Sequence, residues 1–473
     1  MKKMAALLLV LTLLATGGSM LVGFSVNRGR EQVTMETETL YGNPAVAQGL
    51  RVRSKVDDGA HLFWDITYRA GEGTEAAFYF NAQGREAAPW WKEDAFQLYD
   101  ALENCDVYHM SGEQAEQSGG LVEIYWELAQ QLEVGEEKNF TVDLQPYLVN
   151  YPLDIDISLP GTLYLHNDVD EDYSSDEAAV RAHFQEFFTI PIEAPQPVEL
   201  HVERPAEDWC SGSVEQWQEM VYQPETLSTH TDSRCFFTIK NHTPDGQKID
   251  MSQIPGGYGI YGFSYERVTN WDGHSGGFKI PAEYKTGVDA QSLRMVFPLE
   301  DTTEVLALQA DGYRNELQMV TREADGTYFT SIDLGDMTVK EKIPLFSKEP
   351  VEIFRDGNVW AVICQGQLTV LDCRENGKYE RLFTVTMPEV LAKDFYSQTD
   401  FYHENGKHDY GNVYLQYQDG KLAFLQDGQK AYFLAVVDRE GVQYCGKLRS
   451  SLQMDINTGE RGCEVYETEL AWE

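Results

Sequence analysis

Two stretches of the C-terminal half follow one template. Gly357-Asn358-Val359-Trp360, then Gln365-Gly366-Gln367-Leu368, returns 54 residues later as Gly411-Asn412-Val413-Tyr414, then Asp419-Gly420-Lys421-Leu422. A weaker third copy lies the same distance upstream, with Val305 and Asp311-Gly312 in place but Thr303-Glu304 where the others carry Gly-Asn. Each copy continues with one more turn and apolar run: Asp325-Gly326 before Tyr328, Asn376-Gly377 before Phe383, and Glu440-Gly441 before Tyr444. Glycine-containing pairs between short apolar runs are hairpin signals, so the repeating element is strand, turn, strand.

A unit of this length holds about four strands and cannot bury both faces until a neighbour stacks on it. That is the size of a β-propeller blade. Residues 198–473 are therefore expected to form a β-propeller-like domain, with a second β-sandwich as the alternative, because repeated hairpins build both. Three copies do not close a ring, so two diverged units are expected between Val198 and Pro298. The alternating Val198-Glu199-Leu200-His201-Val202 would open that set, and Cys463 to Trp472 would supply a closing strand.

The front half reads as β too. Short apolar runs punctuated by Gly, Asp and Asn lie at Leu50 to Val56, His61 to Tyr68, Ala77 to Phe80, Leu121 to Leu128, Phe140 to Leu144 and Leu153 to Leu159. In the last of these every second residue is apolar, the period of a strand with one buried and one wet face. Residues 33–165 are accordingly expected to form a β-sandwich of immunoglobulin-like size, with a short helix near Trp91 to Leu102. Residues 166–197 read as an acidic helix and Pro-rich linker. Val180, Phe184, Phe187 and Phe188 share one helical face, Ser174 and Glu177 have capping-box spacing, and Pro191, Pro195, Pro197 and Pro205 follow.

Ahead of this β body stands an uncharged run from Met4 to Val26, preceded by Lys2-Lys3. It is long enough to cross a bilayer core. Residues 1–27 are expected to be a membrane anchor, with a cleaved signal segment ending among Ala15, Gly17 and Ser19 as the alternative. Either reading places the body outside the cytoplasm: at the cell membrane on a single N-terminal span, or secreted after signal cleavage. The body is acidic, since the whole chain carries 37 Lys+Arg against 77 Asp+Glu and a formal net charge of -40. Without a basic patch there is no counterion release to drive nucleic-acid binding, so none is expected. The seven cysteines (Cys105, Cys210, Cys235, Cys364, Cys373, Cys445, Cys463) include no Cys-x-x-Cys pair. Buried structural cysteine is the default expectation, and an exported setting also permits a disulfide such as Cys445 with Cys463.

Several groups invite a chemical reading. Gly273-His274-Ser275-Gly276-Gly277 fits Gly-x-Ser-x-Gly but lacks the entering apolar strand and departing helix of a nucleophile elbow, and reads as a flexible loop. Asp168, Asp170, Asp172 and Asp176 occupy positions 1, 3, 5 and 9 of a calcium loop. Tyr173 stands where the turn requires Gly and Ala179 where a bidentate Glu would close the site, so a solvated acidic helix start is preferred. His403 and His408 flank an Asn-Gly turn, which reads as an exposed loop. Trp64, Trp90 and Trp91 stand near charged residues, as sugar-stacking rings do, yet aromatic residues are also ordinary sheet core. No catalytic, cofactor-binding or metal-ligating residue is assigned, and no cofactor is called for.

The functional expectation is a membrane-anchored, non-catalytic binding or sensing protein of the bacterial cell envelope. Its partners would be an envelope protein, a peptide or a glycan, besides the membrane itself. The alternative is an envelope carboxylate-dependent hydrolase acting on polysaccharide.

Overall fold

The structure is a computed structural model. It describes residues 30, 32–58, 61–82, 95–100, 107–112, 120–151, 153–160, 162, 165, 175–192, 195, 197–214, 224–242, 248–268, 285–347, 352–373, 377–388, 401–402, 408–409, 413–427, 431–452 and 464–473. The described residues are mainly β, 61% in strands and 8% helical, in several separate antiparallel sheets. It divides into two compact units, residues 1–89 with 349–473, and residues 90–348. The 1–27 segment lies outside the described residues, among which no helix is long and apolar enough to cross a membrane.

In the first unit the two ends of the chain share sheets. Leu50–Asp57 pairs with Glu464–Trp472 on one side and Leu62–Arg69 on the other, and Gly73–Phe80 completes the four. Met35–Gly42 is the fifth strand of a sheet whose other members are Gly441–Ser450, Tyr432–Asp438, Lys421–Asp427 and Val413–Gln418. A third sheet runs Glu352–Asp356, Val359–Cys364, Gln367–Cys373, Tyr379–Thr386. The edge strands Glu464–Trp472, Val413–Gln418 and Glu352–Asp356 adjoin in that order, so the three sheets fan from a common edge. The five-stranded sheet lies between the other two. Ala423 and Leu425 pack with Leu50, Val52 and Ile66, while Leu422 and Phe424 pack with Leu368 and Val370. With both faces covered, its strands read as unbroken apolar runs such as Tyr432-Phe433-Leu434-Ala435-Val436-Val437.

The repeated hairpins owe their sequence to their turns. Gln365 and Gly366 both have positive φ, at 47° and 75°, and so do Asp419 and Gly420, at 51° and 81°. Two consecutive left-handed residues make the tight turn whose twist matches that of the flanking strands. The hairpin is nevertheless placed differently in each sheet. Val359–Cys364 and Gln367–Cys373 are the second and third strands of their sheet, whereas Val413–Gln418 and Lys421–Asp427 are the edge strand and its neighbour. The 54-residue interval therefore relates hairpins rather than whole sheets.

In the second unit, two meanders of four strands follow one another: Thr226–His230, Arg234–Ile239, Gly259–Tyr265, Val288–Pro298, then Glu304–Asp311, Glu316–Arg322, Thr327–Asp333, Val339–Phe346. They share a core that includes Phe236, Ile260, Leu317 and Ile332. A third sheet is ordered Val107–Ser111, Trp209–Val214, Pro197–Ala206, Glu137–Asp143, and one face of it is covered by helix α1, Gly120–Ala129. Helix α2, Ser175–Phe187, and the strand pair Phe96–Asp100 with Leu153–Ile157 pack on the 226–298 meander through Phe96, Phe184, Phe188, Phe237 and Phe263.

Several expectations take a different form here. Residues 33–165 do not close on themselves, because Met35–Gly42 and Leu50–Asp57 each pair with a C-terminal strand and the strands from Phe96 onward belong to the other unit. The segment expected to be helical near Trp91 to Leu102 contains the strand Phe96–Asp100, with Phe96 and Leu98 turned inward at a two-residue period. The reverse holds at Leu121 to Leu128. Buried Ile124, Tyr125, Ala129 and Leu132 recur at the helical period, and α1 forms. The proline-marked 197–206 stretch is a central strand with Pro197 and Pro205 near its ends, where a missing donor is tolerated. The strand Leu153–Ile157 has no wet face at Asp154, which α2 covers.

Gly42, at the end of the first strand, has φ of 74°, and a Cβ there would stand 2.0 Å from the Gln443 carbonyl oxygen. Gly42→Ala is expected to destabilise the first unit by more than about 1–2 kcal/mol, the cost of left-handed backbone alone, with the clash added. The measure is the urea midpoint. An unchanged midpoint would show that this strand end is not held against Gln443.

Candidate functional site

The sheet backed by α1 turns its other face to solvent. Along Pro197–Ala206, Val198, Leu200 and Val202 join Ile124, Tyr125 and Ala129 in the core under α1. Successive strand residues point to opposite faces, so Glu199, His201 and Glu203 face outward. The neighbouring strand Glu137–Asp143 pairs in a register that sets Glu137 opposite Glu203 and Asn139 opposite His201. The ligand atoms of Glu137, His201 and Glu203 all lie within 4.8 Å of one another.

A chain of polar contacts fixes the imidazole. Asn139 Nδ2 donates to Glu199 Oε1 at 3.1 Å. A carboxylate only accepts, so this contact orients the amide and leaves Asn139 Oδ1 facing His201 Nδ1, at 2.7 Å. Nδ1 is therefore the protonated nitrogen and the donor. In the neutral ring Nε2 then carries a lone pair, and it lies 3.4 Å from Glu203 Oε1. Nε2 is thus the ring nitrogen left to take up a proton or a metal ion, beside a directly opposed Glu137–Glu203 pair of like charge that favours a cation there. Among the described residues no lysine or arginine ion-pairs with either glutamate.

Other polar groups are committed to the fold. Arg181 of α2, only 6% exposed, bonds Asp154 Oδ1 and the Ile155 carbonyl at 2.9 Å each and reaches Glu177 Oε1 at 3.3 Å. A cavity of about 480 Å³ is lined by Asn241, Lys248, Asp250, Ser252, Tyr258 and Asp301. Its polar groups bond within the chain: Asn241 donates to the Asp301 carbonyl, Lys248 pairs with the Asp301 carboxylate, and Asp250 accepts from the Ser252 amide. In the first unit, Arg51, Arg53 and Arg69 line a groove, but each is matched: Arg51 by Glu469 and Glu473, Arg53 by Asp65, and Arg69 by Glu75 and Glu473. Hydrogen bonding from Arg53 holds Asp65 below the usual carboxylate range.

Of the residues singled out in the sequence, Asp176 is described and Asp168, Asp170 and Asp172 lie outside the described residues. The Asp176 carboxylate accepts from Lys285 Nζ at 2.7 Å and from the Thr286 amide at 2.8 Å. Burial opposes its ionisation, but those bonds outweigh burial and hold it below the usual range. Ser275 with its glycines, His403, Trp90 and Trp91 also lie outside the described residues, and His408 falls in the two-residue strand His408–Asp409. Trp64 is buried and donates its indole N–H to the Arg30 carbonyl at 3.0 Å. Cys210, Cys235, Cys364, Cys373 and Cys445 are all buried. Burial pushes the Cys210 and Cys235 thiols up, away from the reactive thiolate. Cys105 and Cys463 lie outside the described residues.

No family model and no curated protein matches the chain. Among solved structures, Hsv2 of Kluyvelomyces marxianus is 9% identical with a TM-score of 0.20, covering 46% of this chain and 62% of its own. The periplasmic gluconolactonase PpgL of Pseudomonas aeruginosa is 10% identical with a TM-score of 0.24, over 84% of this chain and 81% of its own. Citrobacter koseri AztD is 11% identical with a TM-score of 0.23, over 89% and 97%. Similarity at this level bears on neither site nor activity.

Proposed function

We propose that the chain is an exported, membrane-anchored binding protein of the bacterial cell envelope. In this reading its sheets are arranged as in a β-propeller, and it captures a ligand on the open face of the α1-backed sheet without chemical turnover. The observation that carries the reading is the convergence of Glu137, His201 and Glu203 on a solvent-facing sheet surface, with the imidazole held by Asn139 and Glu199. Rigid strands preorganise such groups. Fans of meandering sheets with adjoining edge strands support the propeller arrangement, and the uncharged run from Met4 to Val26 supports the anchor.

The test uses the full chain in detergent, assayed on a panel of polysaccharides and esters. No turnover is expected. Turnover abolished by a single Asp or Glu substitution would replace the binder by the hydrolase. The anchor is checked by fractionation: the protein should stay with membranes through an alkaline carbonate wash. Release into the medium with a new amino terminus among Ala15 to Ser19 would mean a cleaved signal instead.

A further inference from the structure

From the face just described we infer that the bound species is a divalent first-row transition-metal ion of the zinc class, ligated by His201 Nε2 and the carboxylates of Glu137 and Glu203. This deepens the binding reading and rests on it. The chemistry follows from the donor set. Two carboxylates and a neutral imidazole carry a charge of about −2, which a divalent cation offsets. One nitrogen donor selects against calcium and magnesium, which prefer oxygen, and three protein ligands leave a fourth position for water, as in open zinc sites.

Two features of the sheet make the set more than adjacent acids. The register opposes Glu137 directly to Glu203, so the strands hold two like charges together. The Glu199–Asn139–His201 relay also engages Nδ1 and leaves Nε2, the nitrogen able to ligate, facing Glu203. An outer carboxylate or amide that accepts from the non-ligating ring nitrogen is the usual device for fixing a metal-binding histidine. Asn139 is thus a positioning residue, and Glu199 positions Asn139.

The experiment is calorimetric titration of the chelator-stripped full chain in detergent with zinc, calcium and magnesium chlorides, with metal content measured after dialysis. One zinc ion per chain is expected, bound at least about tenfold more tightly than magnesium, since an imidazole ligand favours zinc. His201→Ala and Glu203→Gln should each abolish that site. Asn139→Ala should weaken it about 10–100-fold, the usual loss for an outer-shell partner, with an unchanged circular dichroism spectrum. Cobalt in place of zinc should give the visible absorption of a four-coordinate ion, lost in His201→Ala. Zinc binding no tighter than magnesium, or binding indifferent to both His201→Ala and Glu203→Gln, overturns the inference. So does an NMR finding that the His201 ring is a cation paired with Glu203 and unmoved by zinc. Metal content and turnover are separate readouts, so failure of the cation alone leaves the binding reading standing.

Discussion

Arg181→Met is expected to destabilise the second unit by about 3–5 kcal/mol, the cost of removing one partner from a buried ion pair. The side chain of Arg181 is 7% exposed, and those of Asp154 and Glu177 are 11% and 3%. Without the guanidinium, two carboxylates remain in the interior and the Ile155 carbonyl loses its donor. The Tyr99 phenol, already pushed up by burial and by the Asp154 charge, offers no cation in exchange. Urea denaturation with hydrogen exchange across α2 reads the effect. A loss under about 1 kcal/mol, the range of solvated surface pairs, would mean that water reaches the group. The companion variant with Met at 181 and Leu at 154 and 177 should recover most of the loss, because apolar replacement of a whole buried ionic group is often neutral.

Phe96→Ala should cost a comparable amount, about 3–5 kcal/mol, through the cavity it leaves. The Phe96 ring is fully buried, with its centroid 4.0 Å from that of Phe237, 5.5 Å from Phe184 and 5.9 Å from Phe263. It joins the short strand pair, α2 and the 226–298 meander in one core. Phe96→Leu keeps most of the volume and should cost under about 1.5 kcal/mol. Equal losses for the two variants, in the same denaturation experiment, would show that the surrounding rings close over the vacancy.

The β character of the chain was legible because its hairpin turns are local. Gln365-Gly366 and Asp419-Gly420 declare themselves within two residues. Which strand each hairpin becomes within its sheet is a non-local matter, and nothing in the pattern around Val359 and Val413 distinguishes a central strand from an edge. Length also limits what short runs disclose. Phe96–Asp100 and the Leu121 to Leu128 run exchanged their expected states because a few apolar residues fit both periods until a partner selects one. At the candidate site, His201 and Glu203 share a face by strand alternation alone, a signal present in the Val198 to Glu203 run. Glu137 and Asn139 join them only through the register of a strand lying far upstream, with α1 to cover the reverse side.

The sharing of sheets by the chain's two ends governs when the molecule can mature. Leu50–Asp57 obtains its outer neighbour only when Glu464–Trp472 arrives, and Met35–Gly42 waits for Gly441–Ser450. Residues 90–348, by contrast, contain every strand their own sheets require. As the polypeptide emerges vectorially, the intervening unit acquires its contacts first while these two early strands remain unsatisfied until residues 441–472 have been made. Their pairing across about four hundred intervening residues is the kind of high-contact-order step that folds slowly, and it makes the Glu464–Trp472 strand the trigger for locking the sheet of Leu50–Asp57.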